Sequence, residues 1–218
     1  WEWKEYTKAT SASMPKVQSW GWNNDFPITN ITWEQAVEYC NWLSEKQGYD
    51  KAYSKSGPRY VCDFDSNGFR LPTEAEWEFA ARGGRKSKGY RYSGADDLNL
   101  VSWYVENSEA RPHAYGSKYA NELGIFDLNG NVWEWCLDWY MPDYYAKSPS
   151  QNPPGPNQSH DPNEPGMPKK IMRGGSYLCS DLYCEGYRLW WRMKSAPDSA
   201  MSHTGFRCVR VGLAPEKM

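Results

Sequence analysis

Arg173-Gly174-Gly175-Ser176-Tyr177-Leu178-Cys179-Ser180-Asp181-Leu182-Tyr183-Cys184, with the downstream residues Tyr187-Arg188, Arg192, Pro197-Asp198-Ser199 and His203-Thr204-Gly205-Phe206-Arg207-Cys208, carries most of the information in this chain. Two cysteines stand five apart on a segment that follows a glycine pair, and glycine lets backbone approach closely. Five apart is wrong for a thioredoxin-like CxxC. Two thiols at this spacing on a loop can form a bridge, remain as buried thiols, or hold a thiophilic ion such as Cu(I), which accepts two thiolates in near-linear geometry.

Upstream, the pattern predicts a helix over about Thr32 to Glu45. Thr32 followed by Gln35 makes a capping box, Trp33, Ala36, Val37, Cys40 and Leu43 recur at helical spacing, and Gly48 can end it. A second helix is predicted to start at Thr73, with Pro72 before it and Glu76 three residues on; it carries Trp77, Ala80 and Ala81 and stops at Gly83-Gly84. Strands are expected at Gly124 to Leu128, Val132 to Leu137, Ile171 to Tyr177 and Gly205 to Val211. Met141 to Lys170 holds eight of the fifteen prolines and reads as a long surface loop within one domain, because proline lacks the amide that a helix or sheet interior needs. No fixed-period repeat is present.

Four blocks then occur in a recognisable order: Thr32-Trp33 through Tyr39-Cys40-Asn41-Trp42, Arg70-Leu71-Pro72-Thr73-Glu74-Ala75-Glu76-Trp77-Glu78, Gly130-Asn131-Val132-Trp133-Glu134-Trp135, and the C-terminal stretch quoted above. Over roughly residues 28 to 210 the chain resembles the formylglycine-generating enzyme (sulfatase-modifying factor) family of the C-type-lectin-like superfamily. The resemblance implies an irregular α+β fold with short strands, two main helices and much loop, as one domain over residues 1–218 with its N-terminal part truncated.

For the site, the resemblance implies that Cys179 and Cys184 bind Cu(I), that O2 is activated there, and that Ser176 and Tyr183 line the oxygen and thiol pocket. A cysteine of a sulfatase-like protein or peptide with a CxPxR-type motif would become formylglycine. Soft thiolates suit Cu(I), and a two-coordinate ion can accept a third thiolate from substrate. The resemblance also implies a structural Ca2+ held by Asp127 and Glu134 with carbonyls of Gly130 and Val132, all within eight residues of hard-oxygen donors. It further implies a Cys40–Cys208 bridge in an oxidising compartment. A second bridge of some members would need cysteines at Ala81 and Leu189, and both are absent together. Cys62 and Cys136 read as structural cysteines, unpaired or mutually paired.

Many relatives with this framework lack the two loop cysteines and are ligand-binding C-type-lectin-like domains, pyoverdine-tailoring proteins or parts of ergothioneine synthases. A non-catalytic, calcium-stabilised binding domain is therefore the second reading, and a structural subunit of an envelope assembly a third. His113, His160 and His203 are scattered and form no HxxxHxE-like iron cluster. Trp190-Trp191 stands where the enzymes carry small residues, so these indoles are expected to reshape or block the peptide cleft.

Composition agrees with a single core built on rings. The 218 residues hold 13 Trp and 16 Tyr against 6 Phe, with 18 Gly and 15 Pro, which suits short elements and long loops. Net charge is -2 with signs mixed throughout, leaving no nucleic-acid footprint or polybasic membrane patch. No apolar run nears the roughly 20 residues of a membrane helix, and the first residues do not resemble a signal peptide. A monomer is the family default, and six cysteines are too few for a disulfide-built scaffold.

Overall fold

The structure is a computed structural model that describes residues 2–212. Its first helix, α1, spans Glu2–Ala9 and buries Trp3 and Tyr6, an element that eight residues of mixed pattern did not announce. The predicted long helix is α2, Trp33–Lys46, with Thr32 as N-cap and both halves of the capping box formed with Gln35. Its buried face presents Trp33, Ala36, Val37, Tyr39 and Cys40. A hairpin follows, β1 (Tyr53–Ser56) against β2 (Arg59–Cys62). After the short β3 (Phe69–Arg70) comes the second predicted helix, α3 (Glu74–Ala81), capped by Thr73 with Glu76 in a second complete capping box.

The middle of the chain adds one helical turn, α4 (Leu98–Val101), and two short strands, β4 (Ser102–Trp103) and β5 (Asn129–Gly130), which pair in parallel. The remaining strands are β6 (Trp133–Trp139), β7 (Lys170–Arg173), β8 (Met193–Ser195), β9 (Thr204–Phe206) and β10 (Val209–Arg210). β6 is the axis of the fold. It runs antiparallel to β7 and parallel to β9, and β7 carries β8 on its other edge, giving the sheet order β8-β7-β6-β9. Six of its seven residues are buried because α3 and the aromatic core close over both faces. The chain is thus an irregular α+β fold of short strands.

Three strand expectations need correction. Gly124 to Leu128 is a turn: the Asn121 side-chain carbonyl accepts the amides of Leu123 and Ile125 at 3.0 and 3.1 Å, which curls the chain, and Asp127 has φ 59°. The strand begins only at Asn129. Ile171 to Tyr177 stops at Arg173, because Gly174 and Gly175 turn to φ 94° and 78°. Gly205 to Val211 is two strands in different sheets, since β9 pairs with β6 while β10 pairs with β3. The stretch 141–169 is loop with a single 3-10 turn, as its prolines predict. It is tied down by Arg192 on the Met141 and Pro142 carbonyls and by Lys194 on Asp161 at 2.6 Å.

Tryptophan N–H groups stitch these layers together: Trp33 donates to the Cys136 carbonyl and Trp135 to that of Ile31, both at 2.9 Å. The Cys40 and Cys208 sulfurs lie side by side at 3.5 Å, as free thiols. Burial holds the Cys40 thiol well above its ordinary range. Cys62 and Cys136 are also free. Among the described residues no helix is long and apolar enough to cross a membrane.

Candidate active site

The two loop cysteines are brought together by a pinch in the backbone. A Cβ on Gly175 would lie 2.5 Å from the Tyr187 amide nitrogen, and one on Gly186 would lie 2.2 Å from the indole of Trp133 and 2.9 Å from the Gly175 Cα. The chain leaves β7 at Gly174, loops out, and returns against itself at Gly186. Only glycine at both positions permits this contact, and Gly175 also needs its positive φ.

The pinch is anchored from below by Arg173, fully buried, whose guanidinium meets Glu74 and Glu78 of α3, each at 2.7 Å, and also donates to the Leu189 carbonyl. Arg192 binds the same Glu74 through both of its carboxylate oxygens at 2.8 Å. A buried ion pair of this kind is costly to break because the surviving charge stays in the interior.

Within the loop, the Cys179 amide donates to the Ser176 carbonyl and the Cys184 amide to the Ser180 carbonyl, both at 3.0 Å. From outside, the Val105 amide donates to the Cys179 carbonyl at 3.1 Å and the Ser108 hydroxyl to that of Tyr177 at 2.8 Å. Every backbone group named here has a partner, so the thiols sit on a fixed frame. The contributions of Val105, Ser108 and Gly186 were not legible from the thiol motif, although a glycine two places after Cys184 was a usable signal.

Both thiols are buried and hydrogen-bonded to each other. That bond lowers Cys184 to about 7, whereas the same bond and burial hold Cys179 far above the thiol range. Of the two thiols, Cys184 is the more readily ionised. Ser176 is buried beside them, its amide 3.4 Å and its hydroxyl 3.9 Å from the Cys179 sulfur. Tyr183 differs: it is 90% exposed beside Leu182 at 95%, so it stands on the outer rim of the loop. Trp190 is exposed and packs its ring 5.5 Å from that of Trp191, which is half-buried against the core. In the metal-free, reduced protein, the rate of iodoacetamide alkylation at Cys184 should rise as pH passes through about 7. Mass mapping of the modified cysteine at several pH values checks this; a rise centred on the ordinary thiol value would contradict it.

The residues expected to hold calcium surround a sharp turn in which Asp127, Gly130 and Asn131 all have positive φ, at 59°, 76° and 60°. Gly130 is required there, since a Cβ would lie 2.1 Å from the Trp103 carbonyl oxygen. Burial raises the pKa of Asp127, opposed by the Gly116 amide that donates to its Oδ2 at 2.8 Å and by the Arg207 guanidinium, while the Glu134 carboxylate adds to the rise. Glu134 already accepts from Trp77 Nε1 and Arg207 Nε at 2.6 Å and from Arg207 Nη2 at 2.5 Å. That leaves it about one free lone-pair direction. Asp127, this residual position and two carbonyls supply four oxygens, and water would complete the six to eight that Ca2+ takes. Among the described residues no three His, Cys, Asp or Glu side chains gather as a metal cluster.

The formylglycine-generating enzyme of Streptomyces coelicolor is 36% identical over 196 residues, covering 84% of this chain and 52% of that protein. A protein of Paenibacillus barcinonensis named chaperone protein LppX is 32% identical over 186 residues, covering 71% of this chain and 60% of its own length. The chain spans about half the length of the first curated relatives it matches. Among solved structures, Treponema denticola variable protein 1 superposes with a TM-score of 0.73 at 30% identity, over 89% of this chain and 74% of that one. The model of the sulfatase-modifying factor enzyme 1-like domain matches residues 2–211, and the chain belongs to that family.

Proposed function

We propose that this chain oxidises a cysteine of a sulfatase-type protein to formylglycine, with Cu(I) held by Cys179 and Cys184. The observation that carries the reading is the fixed, hydrogen-bonded pair of buried thiols on a loop whose rim is open to solvent. The relatives named formylglycine-generating enzyme support it. The donor chemistry fits the ion: two soft sulfurs, one of them ionised near neutral pH. When bound, Cu(I) would supply O2 activation and a coordination position for the substrate thiolate.

The rest falls to the chain's own groups. Cys184 releases its proton the more readily of the two, and Cys179 would lose its own only on binding a cation. The Ser176 amide and hydroxyl steady the Cys179 sulfur. Burial in the aromatic cluster with Tyr187 and Tyr104 keeps bulk water from the thiols. Converting the cysteine thiol-bearing methylene to an aldehyde with O2 releases hydrogen sulfide and water and takes up two electrons and two protons, so a thiol reductant is a co-substrate. The open rim at Leu182 and Tyr183 is where a peptide bearing a CxPxR-type segment would approach.

The test is a Cu(I) titration of the reduced protein against a competing chelator, with Cys179→Ala and Cys184→Ala alongside. One tight site lost in both variants, with aldehyde formed on a CxPxR peptide, supports the reading. Equal weak binding by all three proteins removes it and leaves a binding domain, the reading that the relative named a chaperone favours.

The same proposal includes a structural Ca2+ at Asp127. At one hundred times its Kd such an ion would stabilise by about 2.7 kcal/mol, or roughly 5–10 °C in a domain of this size. Melting with and without EGTA should show that shift in the native chain and not in Asp127→Ala. The proposal fails if both melt alike.

A further inference from the structure

An open cleft of 880 Å3 lies between the first turn of α1, the segment 20–29, the outer half of α2 and the end of β9. Its size is that of a small-ligand site, commonly about 300–1,000 Å3. The thiol loop does not line it. Trp22 and Tyr115 stand on its walls 39% and 71% exposed, and among the described residues neither ring has a stacking, cationic or side-chain hydrogen-bond partner. Exposed aromatic rings in a concave surface are a common mark of ligand contact.

The polar groups of the cleft are pre-positioned. The Tyr115 amide donates to the Asp25 carbonyl at 2.9 Å, which holds the Tyr115 backbone beside the 20–29 segment. Asn23 Oδ1 accepts the Asp25 amide at 2.9 Å and Asn24 Oδ1 accepts Lys4 Nζ at 3.0 Å. Both side-chain amides are thereby oriented with their NH2 groups unused. Among the described residues the Asp25 carboxylate and the Trp22 indole N–H also lack partners. The cleft offers donors and an acceptor in fixed places next to flat apolar faces.

Charge narrows the ligand further. Arg207 lines the cleft but is paired with Glu134, and the other charged side chains of its lining, Glu2, Lys4 and Asp25, are of mixed sign. No net positive field remains for a phosphate or other anion, and no strong negative field for a cation. What fits is a neutral molecule with one apolar face and an edge of groups that both donate and accept, which describes a pyranose ring. We infer that this cleft binds a short neutral oligosaccharide, with Trp22 and Tyr115 as stacking platforms and Asn23, Asn24 and Asp25 reading the hydroxyls. The site is separate from the thiol pair, and its occupancy does not depend on the oxidase reading.

The test titrates the whole chain with cellotetraose, xylotetraose, mannotetraose and chitotetraose, followed by tryptophan fluorescence and calorimetry. Saturable one-to-one binding of at least one sugar is expected, weakened about tenfold or more in Trp22→Ala and in Asp25→Ala and only a few-fold in Trp22→Phe. Cys179→Ala should bind the sugar like the native chain, which keeps this result independent of copper chemistry. Matched melting curves confirm that each variant folds. The inference is overturned if no sugar in the panel binds saturably, or if the variants bind like the native chain. It is equally overturned if a polyproline dodecapeptide binds where the sugars do not, since the cleft would then be a peptide groove.

Discussion

Arg173→Ala should lower the stability of this domain by about 3–5 kcal/mol, the cost of removing the central cation of a buried ion-pair network and leaving a cavity in its place. Arg173 is fully enclosed and reaches Glu74, itself fully buried, and Glu78 at 2.7 Å each. Glu74 would keep Arg192, but Glu78 would retain only Arg82, an exposed residue one turn along the same helix. The Leu189 carbonyl would lose its donor as well. At this chain length the expected fall in Tm is roughly 10 °C or more. Arg82→Ala is the control: it also removes an ion pair from Glu78 but at the surface, and should cost at most about 0.5 kcal/mol. Equal effects from the two substitutions, measured by urea unfolding, would show that burial of the Arg173 network contributes nothing special.

Gly186→Ala should disable the thiol pair. The added methyl meets the Trp133 indole at 2.2 Å on one side and the Gly175 Cα at 2.9 Å on the other. Neither gives way easily: Trp133 is fully buried in the core, and Gly175 is backbone at positive φ. Overpacking typically costs about 1–3 kcal/mol, and the strain is relieved most cheaply by opening the loop, which carries the cysteines. Displacing a reacting group by about 1 Å can cost on the order of 100-fold in rate. The fraction of protein cross-linked between Cys179 and Cys184 by dibromobimane reports the pairing without reference to any metal. Native-like cross-linking in a folded Gly186→Ala protein would show that the pinch does not position the thiols.

The two helices and the axial strand were legible because each rests on local chemistry. Thr32 with Gln35 and Thr73 with Glu76 are capping boxes readable within four residues, and Val132 to Leu137 is a short, mostly apolar run preceded by a turn. The misread strands fail for an equally specific reason. At Asp127, Gly174 and Gly175 the backbone turns to positive φ, and only non-local partners, the Gly116 amide, Trp77 and Tyr187, accompany the turn. The thiol pair was legible as a pair. Its frame, supplied by Val105, Ser108 and Gly186, comes from segments that meet only in three dimensions, and the exposure of Tyr183 could not be read from its position between Leu182 and Cys184.

The pairing of β3 with β10 and of β6 with β9 has a consequence in time. Phe69 and Arg70 wait for Arg210 and Val209, Trp133 waits for Thr204, and the amide that opens α2, at Trp33, waits for the Pro197 carbonyl. During synthesis from the N-terminus, the core cannot close until its last two strands emerge. Contacts spanning so much of the sequence make for slow folding. The Cys179–Cys184 loop, emerging earlier, remains an unstructured pair of reactive thiols until then. The frame that holds the two sulfurs together is therefore completed by the pairing of β9 and β10, and not by translation of the cysteines themselves.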